Sequence, residues 1–212
     1  MRLKELEKTV LQQCGRSRAL YLIVALFLIL GLIIGTIAAL VLKNTELSAA
    51  TDYMSRFFSA YSLQSVNKHE VFQIALYNNF KSLLFLWMSG LSLFLVPFAL
   101  LQVGIKGFKL GFAIAFLSKM FHWKGVLFAL ISMLPQNLIV LPVFILYGVF
   151  IVRKAGQLYQ LKRKNNVKLE KKRLYLSGFK AAAVTSVLMV ICSVLEAYFV
   201  PIIVRPVCAL MI

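Results

Sequence analysis

The feature that most constrains this chain is a set of stretches of 24 residues or more that carry almost no charge. Stretches 19–42, 82–105 and 125–152 contain no charged residue, and stretch 181–204 contains only Glu196. A helix needs about 20 apolar residues to cross a bilayer core roughly 30 Å thick, because it rises about 1.5 Å per residue. These stretches therefore predict four transmembrane helices. Composition agrees, since 15% of the residues are charged and soluble domains average about 25%.

A fifth crossing is predicted at 106–120, although its uncharged core is only nine residues long. If this stretch crosses, residues 1–18, a turn at Lys106 and Lys109, and residues 153–180 face the cytoplasm with seventeen of the 24 Lys and Arg. If it does not cross, the last loop and its ten basic residues face outside, against the positive-inside tendency. Because lysines can reach the interface through their aliphatic stems, a short helix can still cross.

We therefore predict an all-α integral membrane protein of one polytopic domain, residues 1–212, with the N-terminus in the cytoplasm and the C-terminus outside. Its five spans are predicted at 19–42, 82–105, 106–120, 125–152 and 181–204, with an external helical loop at 43–81 and a basic cytoplasmic loop at 153–180. The net charge of +17 then mostly faces anionic lipid headgroups. No nucleic-acid recognition motif accompanies this charge, so binding to nucleic acid is not expected.

The external loop carries aromatic residues at helical spacing. The stripe consists of Tyr53, Phe57, Phe58 and Tyr61, which indicates an amphipathic helix. A second helix is predicted to start at Asn67. Two compatible interpretations remain open: helices that lie in the outer membrane interface, or a docking surface for an extracytoplasmic partner.

Two pairs of glycines predict close contacts between helices. Gly31 and Gly35 form a G-x-x-x-G pattern in the first span, and Gly107 and Gly111 form another at the third. Glycine lets two helix backbones approach closely. Such packing matters in lipid, because the hydrophobic effect does not drive apolar helices together there. We interpret these four residues as packing positions rather than as chemistry.

An intramembrane polar cluster is predicted between the fourth and fifth spans. Pro135 is expected to break the fourth helix, and Gln136 and Asn137 follow it directly. Glu196, the one acidic residue within a predicted span, lies at a similar predicted depth of roughly 12–15 Å below the outer end. Since a lone carboxylate there costs several kcal/mol, we expect Glu196 to meet Gln136 or Asn137. The cluster either fixes helix packing or forms a functional polar site.

The sequence offers no constellation for catalysis or cofactor binding. Its three cysteines and two histidines are scattered without ligand spacing, and no nucleophile stands beside a base or in a phosphate-binding loop. We therefore expect no enzyme activity, no metal and no cofactor. Homo-oligomers remain possible from sequence.

The whole chain resembles the stage II sporulation protein M family of endospore-forming bacteria. The resemblance rests on four features: the basic N-terminal anchor, the glycine-rich segment 104–111, the segment 134–142 with its two prolines, and the segment 195–201 that contains Glu196. In the segment that corresponds to 134–142, the family often shows the pattern P-H-G-x-x-E-x-P. This chain has Gln136, Asn137 and Val140 at the His, Gly and Glu places, so we carry over no role that depends on that His or Glu.

The resemblance implies a role in engulfment, when the mother-cell membrane migrates around the forespore. Family members look like membrane scaffolds for wall hydrolases resembling stage II sporulation proteins D and P. The chain would then recruit and localise peptidoglycan-degrading enzymes at the sporulation septum and the engulfing membrane. The alternative from another class is a component of a small-molecule or ion transporter or channel, because broken spans with polar residues often form substrate sites.

Overall fold

The structure, a computed structural model, describes residues 18–43, 50–56, 58, 67–90, 92–162 and 168–209. These residues form α-helices and one short 3-10 turn, with no strand among them. The five principal helices are α1 (Arg18–Val41), α2 (Lys68–Ser89), α3 (Val96–Lys162), α4 (Lys168–Tyr198) and α5 (Val200–Ala209). Residues 50–56 are also helical.

Helix α3 is a hairpin of two arms. Its backbone leaves helical geometry at Phe121 and at His122, where φ is 53°. We call residues 96–120 the first arm and residues 123–162 the second arm. The arms lie side by side and antiparallel: a Cβ on Gly125 would meet the backbone of Leu117. The reversal therefore happens within two residues and without a proline.

Successive helices alternate in direction. Helix α1 runs parallel to the first arm, with Gly31 against Gly104 and Gly35 against Phe108. Helix α4 runs antiparallel to α2, because Trp87 bonds Thr185 and Asn79 bonds Ser193. It also runs antiparallel to the second arm, with Gln136 near Cys192 and Lys154 near Tyr175.

This alternation gives the bundle two distinct ends. The basic end contains the start of α1, the turn between α2 and α3, the end of α3 and the start of α4. The hairpin end contains the end of α1, the start of α2, the turn at residues 121–122 and α5. At the hairpin end, the ammonium group of Lys119 donates to the carbonyl oxygens of Leu40 and Leu42 at 2.8 and 2.7 Å. A cation at the C-terminus of a helix satisfies carbonyls that have no partner within the helix.

Each end of the bundle has its own apolar core. The larger core joins α1, α2, both arms of α3 and α4 through fully buried side chains that include Val24, Leu83, Val103, Phe144 and Met189. The smaller core lies at the hairpin end, where Phe58 packs with Leu117, Phe128 and the α5 residues Val204 and Val207. Three stretches of the described chain are long and apolar enough to cross a bilayer: Arg18–Val41, Val96–Leu158 and Leu174–Cys208.

The predicted second and third spans need correction. The predicted span 82–105 is interrupted, because α2 ends at Ser89 and α3 begins at Val96. The predicted turn at Lys106 and Lys109 does not exist, since both residues lie within the first arm. The sequence held a signal for the true boundary: Ser and Gly at the end of α2, and Pro97 in the first turn of α3, where its missing N–H leaves no hydrogen bond unmade.

The predicted break near Pro135 is also wrong in position. The second arm stays helical through Pro135 and Pro142, and the non-helical residues of α3 are Phe121 and His122. Helices in lipid tolerate proline because nearby polar groups satisfy the freed backbone atoms. One such group is Asn137, whose side-chain nitrogen donates to the carbonyl of Met133 at 2.9 Å.

The described residues of the two predicted loops are largely helical. In the predicted external loop, α2 begins after Asn67, which is the expected start, and the side chain of Asn67 accepts a hydrogen bond from the amide of His69 at 3.2 Å. In the predicted basic loop 153–180, α3 extends to Lys162 and α4 begins at Lys168. The helices therefore continue past the apolar stretches from which the spans were predicted.

Candidate functional site

The structure brings Glu196 of α4 against Gln136 of the second arm. With the carboxamide nitrogen of Gln136 facing the carboxylate, it donates to Oε1 at 3.1 Å and to Oε2 at 3.2 Å. That orientation of the amide is the one in which both partners are satisfied. The thiol of Cys192, one turn before Glu196, lies 3.6 Å from the backbone oxygen of Gln136. Gln136 is thus held by α4 through its side chain and its backbone.

Three further polar residues complete this intramembrane polar cluster. Asn79 of α2 lies beside the carboxylate of Glu196, and its side-chain nitrogen donates to the hydroxyl of Ser193 at 3.1 Å. Lys106 of the first arm interacts electrostatically with Glu196, and its ammonium group lies 4.8 Å from the centre of the Phe144 ring. Helix α2, both arms of α3 and helix α4 therefore contribute side chains to one cluster.

The cluster supplies the carboxylate with partners that lipid cannot provide. A lone charge at this depth is costly, and here the Gln136 amide donates to the carboxylate while Asn79 and an ammonium group lie nearby. The arrangement can hold three helices in register through hydrogen bonds. The described residues contain no group of three His, Cys, Asp or Glu side chains that could hold a metal ion.

The other two predicted members of the cluster lie beside it without touching Glu196. Pro135 is partly buried within the second arm. Asn137 turns its side chain back to its own helix, on the carbonyl of Met133. The sequence predicted that either Gln136 or Asn137 would contact Glu196. In the structure Gln136 faces the carboxylate, and Asn137 bonds its own helix.

The four predicted packing glycines all lie in the interface between α1 and the first arm. A Cβ on Gly31 would overlap the carbonyl of Gly104, and one on Gly35 would overlap the carbonyl of Phe108. From the other side, a Cβ on Gly107 would overlap Leu28, and one on Gly111 would overlap Leu32. The two backbones are therefore in direct contact along about two turns of helix.

The predicted docking stripe is divided by the structure. Tyr53 is 71% exposed, whereas Phe58 is completely buried. The Phe58 ring packs edge-on against Phe121 and Phe128, at centroid distances of 5.3 and 4.9 Å. Phe58 is therefore a core residue that connects the predicted external loop to the hairpin turn, and it does not belong to a docking surface. Phe57 and Tyr61 lie outside the described residues.

Three residues of the polar cluster escaped the sequence analysis. Lys106 was assigned to a cytoplasmic turn because a charge was taken to end a span. Asn79 falls in the predicted external loop 43–81, outside the predicted spans, and Ser193 falls in the last predicted span without an assigned role. The available signal was the helical spacing of Ser193 and Glu196, three residues apart, which places both on one face of α4.

Comparison with known proteins agrees with this picture of an apolar helical bundle. The family described as stage II sporulation protein M matches residues 23–201, from α1 to the start of α5. No curated protein and no solved structure matches the chain. The family predicted from the sequence is thereby confirmed, and it implies a membrane protein related to sporulation. The chain belongs to the stage II sporulation protein M family.

Proposed function

We propose that this chain is a multi-pass scaffold of the bacterial cell membrane that recruits and localises peptidoglycan-degrading enzymes during sporulation. Its partners would be wall hydrolases resembling stage II sporulation proteins D and P, and the chain itself would catalyse nothing. It would act at the sporulation septum and in the engulfing mother-cell membrane, where wall hydrolysis lets one membrane migrate around the forespore.

The separation of the two ends of the bundle is the observation that carries this proposal. In the sequence, residues 1–18 and 153–180 hold fifteen of the 24 Lys and Arg, and both segments join helices at the basic end. Short segments rich in Lys and Arg stay in the cytoplasm. The basic end is then cytoplasmic, and the hairpin end faces the wall.

The hairpin end also has the exposed aromatic side chains that contact surfaces favour. Tyr53 and Trp123 are 71% and 69% exposed there. Tyr and Trp are enriched where proteins meet, because they supply a large contact area at small cost in conformational entropy. The buried Phe58 fixes the segment that carries Tyr53 to the hairpin turn, so this surface is held by the fold.

Co-purification from sporulating cells tests the proposal. The tagged protein would be solubilised in mild detergent, and the captured hydrolases would be quantified by mass spectrometry. The test variant is Tyr53→Ser with Trp123→Ser. The matched control is Phe94→Ser, which removes an aromatic ring that is 86% exposed at the basic end.

We expect the wild type and the Phe94→Ser variant to capture both hydrolases, and the double variant to lose most of them. If both variants capture less of the hydrolases than the wild type does, the loss of an aromatic side chain disturbs the fold, and the result does not identify a contact surface. If the folded wild type captures neither hydrolase, the scaffold proposal fails.

A further inference from the structure

A cavity of about 680 Å³ lies at the basic end, between α2, the second arm of α3 and α4. This volume falls within the range of about 300–1,000 Å³ that is typical of small-molecule sites. The walls are formed mainly by apolar and aromatic side chains. Those on which the argument rests are Leu84, Trp87, Tyr147, Phe150, Phe179 and Ala183.

One charged side chain, Lys154, lies at one end of this cavity. It is only 5% exposed, although it stands near the end of a helix where a lysine could reach water. Its ammonium group donates to the carbonyl of Gly90 at 3.1 Å and lies 4.7 Å from the centre of the Tyr175 ring. Because a lysine ammonium has three N–H donors, the Gly90 contact leaves capacity for an anionic ligand.

No carboxylate neutralises Lys154 from the cavity walls, as far as the described lining residues extend. The surrounding sequence adds positive charge, since residues 153–180 contain ten basic residues and one acidic residue. Two other polar side chains of the walls are already bonded: Trp87 donates to Thr185 at 3.3 Å, and Ser186 donates to Ala182 at 2.9 Å. The cavity is therefore cationic at one end and mainly apolar along the rest.

The apolar part is elongated. Its lining on α4 runs from Tyr175, beside Lys154, to Ser186. These twelve residues are separated by eleven helical steps and span about 16 Å, and this distance leads from the basic end toward the middle of the bundle. A ligand that fits has an anionic group and a long apolar tail.

We propose that this cavity binds one anionic glycerophospholipid, with the phosphate at Lys154 and an acyl chain along the apolar wall. The bilayer itself supplies this molecule, and basic pockets between transmembrane helices are known to bind such headgroups. The cavity is distinct from the polar cluster at Glu196, which lies nearer the hairpin end. If the basic end is cytoplasmic, as the proposed function requires, this lipid comes from the cytoplasmic leaflet. The binding of the lipid itself does not depend on that orientation.

Native mass spectrometry of the delipidated full-length protein tests the proposal. The probes are phosphatidylglycerol and phosphatidylcholine with identical acyl chains, added in equal amounts. We expect the wild type to bind the anionic lipid about tenfold more tightly, which corresponds to about 1.4 kcal/mol. Equal affinity for the two lipids overturns the proposal.

Two pairs of variants locate the site. Lys154→Met should remove the preference for the anionic lipid, whereas Lys180→Met, which changes an exposed lysine of the same end, should keep it. Ala183→Trp should fill the cavity and lower the affinity for both lipids. Val187→Trp, which puts the same ring one turn further on the exposed face of α4, should not.

Three results contradict the proposal. They are an unchanged preference in Lys154→Met, wild-type binding by Ala183→Trp, and displacement of the lipid by millimolar inorganic phosphate, which would make the free anion the ligand. Should Lys154→Met fail to fold in detergent, the Ala183→Trp and Val187→Trp pair decides the matter.

Discussion

The interface between α1 and the first arm and the interface between α2 and α4 hold their helices by different means. In the first, glycines bring backbone onto backbone, as between Gly31 and Gly104. In the second, polar side chains bridge the helices, as between Asn79 and Ser193. Both solve the same problem, because the hydrophobic effect gives two apolar helices in lipid no reason to associate.

The difference teaches where each interface is sensitive. A backbone contact depends on the absence of a side chain, so a single added methyl group can separate the helices. A polar contact depends on side chains that can find other hydrogen-bond partners. Hydrogen bonds between membrane helices therefore contribute on average only about 0.6 kcal/mol. The glycine interface should therefore fail abruptly, and the polar interface should fail by degrees.

The largest effect is expected for Gly31→Ala, which tests the glycine interface. The added Cβ would overlap the carbonyl of Gly104, and overpacking of this kind costs about 1–3 kcal/mol. Equilibrium unfolding in mixed micelles, followed by circular dichroism, measures the loss.

The matched control is Gly104→Ala at the same crossing. There a Cβ would come no closer than 3.4 Å, to the carbonyl of Phe27, so we expect a change of less than about 0.5 kcal/mol, helped by the better helix propensity of alanine. Equal destabilisation by the two variants would show that the backbone contact is not what stabilises this interface.

An intermediate effect is expected for Glu196→Ala, which tests the polar cluster. The change leaves Lys106 without its acidic neighbour and removes the acceptor of Gln136, so we expect a loss of about 1–2 kcal/mol. The Glu196→Gln variant keeps an acceptor and should lose less. The same unfolding measurement applies, with Val194→Ala, an exposed position of the same helix, as the control.

A double variant sharpens this test. If Lys106 and Glu196 are coupled, Lys106→Met should cost less free energy in the Glu196→Ala background than in the wild type. Strict additivity of the two substitutions would contradict the coupling.

The smallest effect is expected for Thr185→Val. It removes the hydroxyl that accepts the indole N–H of Trp87 at 3.3 Å and nearly keeps the shape of the side chain, so we expect a loss of about 0.6 kcal/mol in the same unfolding measurement. A loss as large as that of Gly31→Ala would contradict the proposed difference between the two interfaces.

Much of the fold could be predicted where one physical rule acts alone. The first apolar stretch, 19–42, fixes α1 (Arg18–Val41) to within a residue, because a long uncharged stretch has no competing structure. The glycine pairs likewise lead to the α1 interface, since a backbone contact needs a residue without a side chain. Glu196 meets Gln136 because a buried carboxylate requires a donor at its own depth.

The prediction failed where two rules compete. Charge was taken to end a span at Lys106, but burial against Phe144 and the proximity of Glu196 keep that lysine inside a helix. Pro135 was taken to break a helix, but the chain turns instead at Phe121 and His122. At that turn Phe58 packs against Phe121, and neither turn residue is a glycine or a proline that would have signalled the turn in the sequence.

The orientation of the two ends is the central claim, and labelling of single cysteines tests it most directly. The three natural cysteines would be replaced by alanine, and Phe94→Cys would be introduced just before the first arm or Trp123→Cys just after it. A maleimide that cannot cross membranes would then be applied to intact protoplasts. We predict labelling of the Trp123→Cys variant in intact protoplasts, and of the Phe94→Cys variant only after permeabilisation. Labelling of both from outside would show that the first arm does not cross the membrane, and the reverse pattern would place the basic end outside and contradict the scaffold proposal.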